Sequence, residues 1–444
     1  MDKKPSLAAL ALAGVERMRG RDHDFRGRVC ALLLLLRGAY YTGEGKWRAL
    51  AEEDLRALWR GGVHDHIGGG FFSASTDGEW LRPRFEKRLD DNAILAFLFA
   101  EAWEKGRMGF HREAAEEALD FCLRELPDPS GLYRAGLRAL HPEGEENPFL
   151  FTPARIAEIL GADEGRHCAD CSDITAEGNC GDESIPNLIL NQRWNLVPAG
   201  YDDLREKVRL AREARGGLLS DERTPLDANA LLLAALAKAG RVFSDRRYLT
   251  AAGELAERLC ADDDSPRLGR AALAFALTEL YAADFDPSHI AAASACAPKP
   301  EKAAADGALS PEDDRALTLS ALACDALWRL TEGEKWRYES IEILRELGLR
   351  PDRHGPEALG ALCADFSLSC PQRSVLYVCA EEEPSAALAA IRSRYAPDLK
   401  VLLKTPARAD ALAALCPWTA ELPIGPAPLF YPRENGKTGA PAGL

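Results

Sequence analysis

One stretch concentrates residues able to do chemistry: Gly61-Gly62-Val63-His64-Asp65-His66-Ile67-Gly68-Gly69-Gly70-Phe71-Phe72. Glycine tolerates positive φ and close backbone approach, so the segment reads as a tight loop. In an extended stretch His64 and His66 face one way and Asp65 the other. Each imidazole could serve as general base, metal ligand or hydrogen-bond anchor. Equally, the segment could be a glycine-rich turn whose histidines are satisfied internally. A second stretch follows: Trp80-Leu81-Arg82-Pro83-Arg84-Phe85-Glu86-Lys87-Arg88-Leu89-Asp90-Asp91-Asn92-Ala93. Its carboxylates Glu86, Asp90 and Asp91 could supply an acid/base pair if one were buried beside an apolar wall. The plainer reading is a solvated, salt-bridged surface, with Asp90 or Asp91 as N-cap of the helix that follows.

His167-Cys168-Ala169-Asp170-Cys171, with Cys180 further on, could hold zinc, form a disulfide or remain as thiols. A structural zinc needs four ligands, and the fourth here would be His167, directly adjacent to Cys168. No metal is therefore expected. Nothing resembles a P-loop, a GxGxxG after a strand, GxSxG or HExxH, and no cofactor is expected.

Helical periodicity must position these residues. Apolar residues recur at three- and four-residue spacing near 6–18, 28–37, 47–59, 91–105, 110–125, 227–239, 245–260, 270–282, 315–330 and 335–347. Short Gly, Asp or Pro punctuation between them suits antiparallel helix hairpins, and no fixed short repeat period favours a regular solenoid. Residues 140–200 read as an irregular excursion, with short strands at Phe149–Thr152 and Leu188–Leu190. After 366–373 the pattern is strand, helix (384–395), strand, helix (408–415), strand. That order predicts a small parallel sheet with helical crossovers. The expected fold is mainly α: helical hairpins over 1–365, with an α/β appendage over 372–444.

The chain has 444 residues, 55 basic and 70 acidic, a formal net charge of −15, with 47% hydrophobic and 28% charged residues. Disorder and collagen-like repeats are excluded, and the acidity argues against nucleic acid or an anionic membrane as partner. The apolar run Cys30–Leu36 is far shorter than the ~20 residues of a membrane span. Without a secretory pattern, a cytoplasmic chain with mostly buried free thiols is expected.

Gly61–Phe72, Ser75-Thr76-Asp77, Trp80, Pro83, Phe85-Glu86-Lys87 and Asp91-Asn92-Ala93 together resemble the signature of the thioredoxin-domain-containing (spermatogenesis-associated thioredoxin-like) family. Weaker echoes include Phe151-Thr152-Pro153 and Asn229-Ala230-Leu231. The resemblance implies an (α/α)6 toroid similar to N-acylglucosamine 2-epimerases and six-hairpin glycosidases, here without the family's N-terminal thioredoxin-like domain. A separate thioredoxin-like partner would follow from that. The departures are specific. Arg84 stands for a His and Asp90 for a Tyr. Leu137-Arg138-Ala139-Leu140 lacks the expected aspartates. Ala228 replaces a Trp, Gly269-Arg270 an Asp-Tyr pair, and Pro311-Glu312-Asp313-Asp314 a Pro-Ser-Gly-Asn motif.

Two functions follow as expectations. In one, a scaffold or carbohydrate-binding protein keeps the toroid with a reduced site. In the other, a sugar isomerase, epimerase or glycoside hydrolase acts at the toroid centre. In the second, Glu86 or Asp91 would be acid/base and His64 and His66 base or sugar anchors. Asp65, Trp80, Asn92 and Asn229 would contact the sugar, with Trp80 as stacking platform. Either His64 or His66 is expected to point into the central cavity within reach of Glu86 or Asp91.

Overall fold

The protein was analysed as a computed structural model, which describes residues 7–19, 25–140, 147–191, 200–259, 264–297, 310–347, 356–380 and 386–441. Its helices are α1 (Leu7–Arg19), α2 (Phe25–Thr42), α3 (Gly45–Arg60), α4 (Leu89–Gly106), α5 (Gly109–Glu125), α6 (Pro153–Leu160), α7 (Ala162–Cys171), α8 (Tyr201–Arg215), α9 (Leu226–Phe243), α10 (Arg246–Ala256), α11 (Arg267–Asp284), α12 (Pro287–Cys296), α13 (Pro311–Thr331), α14 (Glu334–Leu347), α15 (Leu362–Leu368), α16 (Ala386–Arg392) and α17 (Ala409–Leu415).

Burial sorts these helices into two layers. In α9 every residue from Ala228 to Gly240 is buried, and α4, α11 and α13 are buried almost all round. A helix without a solvent face must lie at the centre of the fold. By contrast, α10 buries Tyr248, Ala252 and Leu255, a single stripe at helical spacing. The central helices α2, α4, α9, α11 and α13 pack each against the next. The 3-10 turn Pro356–Ala361, running into α15, closes the ring back onto α2. Outer helices α5, α10, α12 and α14 return antiparallel to α4, α9, α11 and α13. The fold is an (α/α)6 toroid.

One device makes four of the hairpin turns. Arg107, Ser244, Phe285 and Glu332 each follow an inner helix in the left-handed conformation, at φ 54°, 57°, 61° and 60°. Each N–H caps a carbonyl of the helix's last turn, on Trp103, Gly240, Tyr281 and Trp328. The outer helix begins two residues later.

A short antiparallel sheet of β1 (Glu86–Arg88), β2 (Gly136–Ala139) and β3 (Leu218–Asp221) sits where the inner helices begin, β1 running straight into α4. The excursion expected over 140–200 is partly helical: α6 and α7 occupy 153–171. There, Thr152 caps α6 by accepting from the Arg155 N–H, and Pro153 takes the first helical position. The strands expected at Phe149–Thr152 and Leu188–Leu190 are not formed; Phe151 makes an isolated bridge with Ser184.

The C-terminal subdomain holds β4 (Arg373–Val378), β5 (Leu399–Lys404), β6 (Leu429–Glu434) and β7 (Lys437–Thr438), in the order β5-β4-β6-β7. β4 and β5 are parallel, joined across α16, as expected. β6 runs antiparallel to β4, which corrects the all-parallel expectation. After α17 the chain continues through an irregular stretch with Pro423, Pro426 and Pro428, and meets β6 from the opposite end. The subdomain is tied to the ring by buried Arg329 of α13, whose Nη1 donates to the carbonyls of Pro371 (3.2 Å) and Asp398 (3.1 Å). No described helix is long and apolar enough to cross a membrane.

Candidate functional site

The glycine-rich loop lies at the N-terminal end of the ring, and its chemistry is turned inward. Irregular backbone carries donors and acceptors that no helix or sheet satisfies, so a buried loop needs side-chain partners. Asp65 is the main one. Its Oδ1 accepts from the N–H of Ile67 (3.1 Å) and Gly68 (3.0 Å). Its Oδ2 meets Lys87 Nζ and, at 2.7 Å, Arg212 Nη1. Lys87 also donates to the Gly69 carbonyl at 2.7 Å and lies 4.5 Å from the Phe121 ring centroid. Burial alone would raise the Asp65 carboxyl. The Arg212 guanidinium and the Lys87 ammonium overcome it and hold the group far below the usual carboxylate range. Burial, opposed by Asp65 and reinforced by Arg212, holds Lys87 below its usual range. A Cβ on Gly68 would collide with the Arg212 guanidinium, and Gly70 sits at φ 76° against Phe121. These two glycines are the steric condition for the network.

His64 and His66 are 1% and 5% exposed. His64 Nε2 lies 2.7 Å from Glu117 of α5 and Nδ1 lies 3.1 Å from the Trp59 carbonyl. Glu117 also pairs with Arg205 of α8 at 2.5 Å. His66 Nε2 reaches the Gly61 carbonyl at 3.1 Å, and burial, with His64 beside it, lowers its pKa to about 3. His64 is therefore paired with an outer-helix carboxylate, where Glu86 or Asp91 was expected, because the loop folds between α3 and α5. Glu86 is exposed on β1; strand alternation turns its neighbour Lys87 inward.

Asn92 and Asn229 hold backbone in the same way. Asn92 Oδ1 accepts from Phe71 N–H (2.6 Å), while its Nδ2 donates to the carbonyls of Phe71 (2.9 Å) and Arg88 (2.8 Å). Asn229 does this for Tyr133 (2.8 and 2.9 Å) and Pro225 (3.0 Å). Each is the fourth residue of an inner helix. Trp80 is 6% exposed, in the left-handed conformation at φ 62°, with its carbonyl receiving Val63 N–H and Arg28 5.6 Å over its ring.

The remaining expected acids, Asp90 and Asp91, stand with Arg315 and Thr318 at a small mouth at this end of the ring, a mainly apolar cavity of about 50 Å³ otherwise lined by Val29, Cys30, Ile94, Leu231, Leu268 and Leu319. Arg88 Nε reaches Asp90 at 3.0 Å and Asp91 at 3.8 Å; Arg315 Nη1 lies 3.5 Å from Asp90. A second apolar space of about 40 Å³ adjoins it between the inner helices, with Leu33, Phe97, Leu231, Phe275 and Leu322 around it. Among the described residues no cluster of three or more His, Cys, Asp or Glu is placed to hold a metal. Cys168, Cys171 and Cys180 are free thiols, and burial pushes Cys168 up to about 12.

Sequence reasoning missed Lys87, Glu117, Arg205 and Arg212 as partners of the loop. Lys87 carried a signal, a lysine alternating with the exposed Glu86 on a short strand. Arg212, 147 residues from Asp65, carried none.

No protein-family model matches the chain. The human protein named spermatogenesis-associated protein 20 is 27% identical over 258 residues, 50% of this chain and 33% of that protein. Its rat counterpart is 32% identical over 117 residues, 25% of this chain and 15% of the relative. The chain thus spans a third or less of these relatives. Among solved structures, a sugar epimerase from a ruminal bacterium aligns with a TM-score of 0.40 and 13% identity, over 66% of this chain and 68% of that one. A family 76 glycoside hydrolase from a bovine Bacteroides thetaiotaomicron strain aligns with a TM-score of 0.39 and 13% identity, over 78% and 56%. By sequence, the chain is similar to the spermatogenesis-associated protein 20 proteins over up to half of its own length.

Proposed function

We propose that the protein is a toroid scaffold that binds a small carbohydrate at the mouth formed by Asp90, Asp91, Arg315 and Thr318, without the groups needed to transform it. The observation that carries this reading is the closure of the histidine loop on protein partners. With His64 on Glu117, His66 on Gly61 and Asp65 on Lys87 and Arg212, no imidazole of the loop is left for the mouth. Losses around the ring support it as well. A sugar site surrounds each hydroxyl with partners, and an unpaired buried hydroxyl costs about 1–3 kcal/mol. Leu137, Ala139, Ala228 and Gly269 offer no side-chain partner. Two missing partners weaken transition-state binding by roughly 30-fold to 10⁴-fold.

A panel of mono- and disaccharides tests this by thermal shift and by turnover. A sugar-dependent shift that Asp91→Asn abolishes, without turnover, is expected. Turnover abolished by Glu86→Gln or His66→Ala would establish the isomerase or hydrolase reading instead. The absence of a shift with every sugar would remove the carbohydrate assignment.

A further inference from the structure

The opposite end of the ring holds a larger and more polar cavity, about 100 Å³, between the C-terminal ends of the inner helices and the C-terminal subdomain. It is separate from the mouth: Asp91 begins α4 and Glu104 ends it, about 20 Å apart at 1.5 Å per residue. Cations outnumber carboxylates around it. Lys238 (2.9 Å) and Arg241 (2.7 Å) share Glu104. Arg37 (2.8 Å) and Lys238 (3.4 Å) share Glu101. Arg392 and Lys400 have no carboxylate within ion-pair distance among the described residues.

Helix C-termini attract cations, and this must be separated from ligand binding. Arg392 answers to it: its Nη2 donates to the carbonyls of Ala282 (2.7 Å) and Ala283 (3.1 Å), at the end of α11. Lys400 does not. It stands on β5 and makes no hydrogen bond or ion pair with any described residue. Glu279, on α11, is 9% exposed, lines the same space and likewise has no hydrogen-bond or ion-pair partner among the described residues. Buried Arg241 Nε has no hydrogen-bond partner either. The lining thus presents an acceptor, an ammonium and a surplus of positive charge to a space of roughly seven to ten water positions. The charge surplus calls for an anion, and the unpartnered carboxylate for a hydroxyl donor.

We propose that this cavity is a second ligand site, for a monosaccharide bearing a carboxylate or phosphate, with the anionic group on Lys400 and a hydroxyl donating to Glu279. It does not depend on the mouth at the other end. Calorimetric titration of the full chain with glucuronate, glucose 6-phosphate, glucose and inorganic phosphate tests it and separates the two anion sources. At least one anionic sugar should bind with Kd below about 1 mM. Lys400→Gln and Glu279→Gln should each weaken it about tenfold at unchanged thermal midpoint, while Asp91→Asn leaves it intact. The proposal falls if neither anionic sugar binds at about 10 mM, or if binding survives both substitutions. It also falls if inorganic phosphate binds as tightly as the sugars and ignores Glu279→Gln. Glucose binding that is lost in Asp91→Asn, with no anionic sugar bound, would sink this site and leave the mouth standing. Anionic-sugar binding lost in Lys400→Gln, with no sugar of the panel giving a response that Asp91→Asn removes, would do the reverse.

Discussion

The two ends of the ring use charge in opposite ways. At the N-terminal end, buried Asp65, Lys87 and Arg212 pair with one another and with loop carbonyls and N–H groups, and buried His64 pairs with half-buried Glu117. At the C-terminal end, Glu101 and Glu104 are likewise paired with Arg37, Lys238 and Arg241, but Lys400 and Glu279 face a cavity without such a partner among the described residues. The difference follows from the backbone beneath. An irregular buried loop cannot satisfy its own peptide groups, so its polar side chains are committed to it. Helix interiors satisfy their backbone internally, so side chains projecting from inner-helix ends remain available. In the readings proposed above, the histidine-rich loop serves the architecture and Lys400 on β5 serves binding.

The sharpest way to break this contrast is Asp65→Asn. It leaves the Lys87 and Arg212 cations buried side by side without a counter-charge, at a cost of about 3–5 kcal/mol. That is a large part of the ~5–15 kcal/mol that keeps a domain folded. Lys87→Met should cost less, because Asp65 and Arg212 remain as a neutral pair. Urea unfolding measures both, and a loss below about 1 kcal/mol for Asp65→Asn would show the network to be dispensable.

Asn92→Ala comes next. It orphans the Phe71 N–H and carbonyl inside the protein, and a cost of about 2–3 kcal/mol is expected, matched by Asn229→Ala at Tyr133. The pair also shows what could be read beforehand. Leu89-Asp90-Asp91-Asn92-Ala93 and Leu226-Asp227-Ala228-Asn229-Ala230 open two inner helices with nearly the same five residues. That internal echo identifies a shared structural role, although no fixed repeat period exists. The alanine- and leucine-rich inner helices were legible because all-round apolar composition and high helix propensity agree. The turns that close the hairpins were not. Arg107, Ser244, Phe285 and Glu332 occupy left-handed positions where sequence rules look for glycine. β1 to β3 are too short for alternation to register, and α8, a strongly charged helix, shows its buried face only through Tyr201, Leu204 and Val208. Glu117 and Arg212 reach the loop through tertiary packing, which no local pattern encodes.

A pH series sharpens the comparison, because the lining of the C-terminal cavity contains no histidine. His66 is lowered from 6.5 to about 3 by burial and by His64. Its folded-state pKa lies below its unfolded value, so the unfolded chain binds the proton first. The neutral form's contribution is complete above pH ~6.5 and is lost as pH falls toward 3. Between pH 7 and pH 5 this amounts to about 2 kcal/mol. Urea midpoints should fall over that range in the native chain and fall less in His66→Gln. Equal slopes would place the acid sensitivity elsewhere.

The smallest expected effect is the most diagnostic. Glu279→Gln and Lys400→Gln each remove a charge with no hydrogen-bond or ion-pair partner among the described residues. No partner is then orphaned, unlike at Asp65, and the amide keeps the shape of the glutamate it replaces while exchanging one acceptor oxygen and the charge for an N–H donor. For Lys400, burial holds the ammonium below its usual pKa, so the folded state already bears a cost for keeping the charge. Its removal should change stability by less than about 1 kcal/mol, and the sign should be neutral or stabilising. Coulombic attraction between Glu279 and Lys400 across the cavity opposes this. The double substitution should be no more than about 0.5 kcal/mol away from the sum of the singles. A loss of 3 kcal/mol or more from either single change, on the scale of ~3–5 kcal/mol for a broken buried pair, would mean that the two ends of the ring use charge alike.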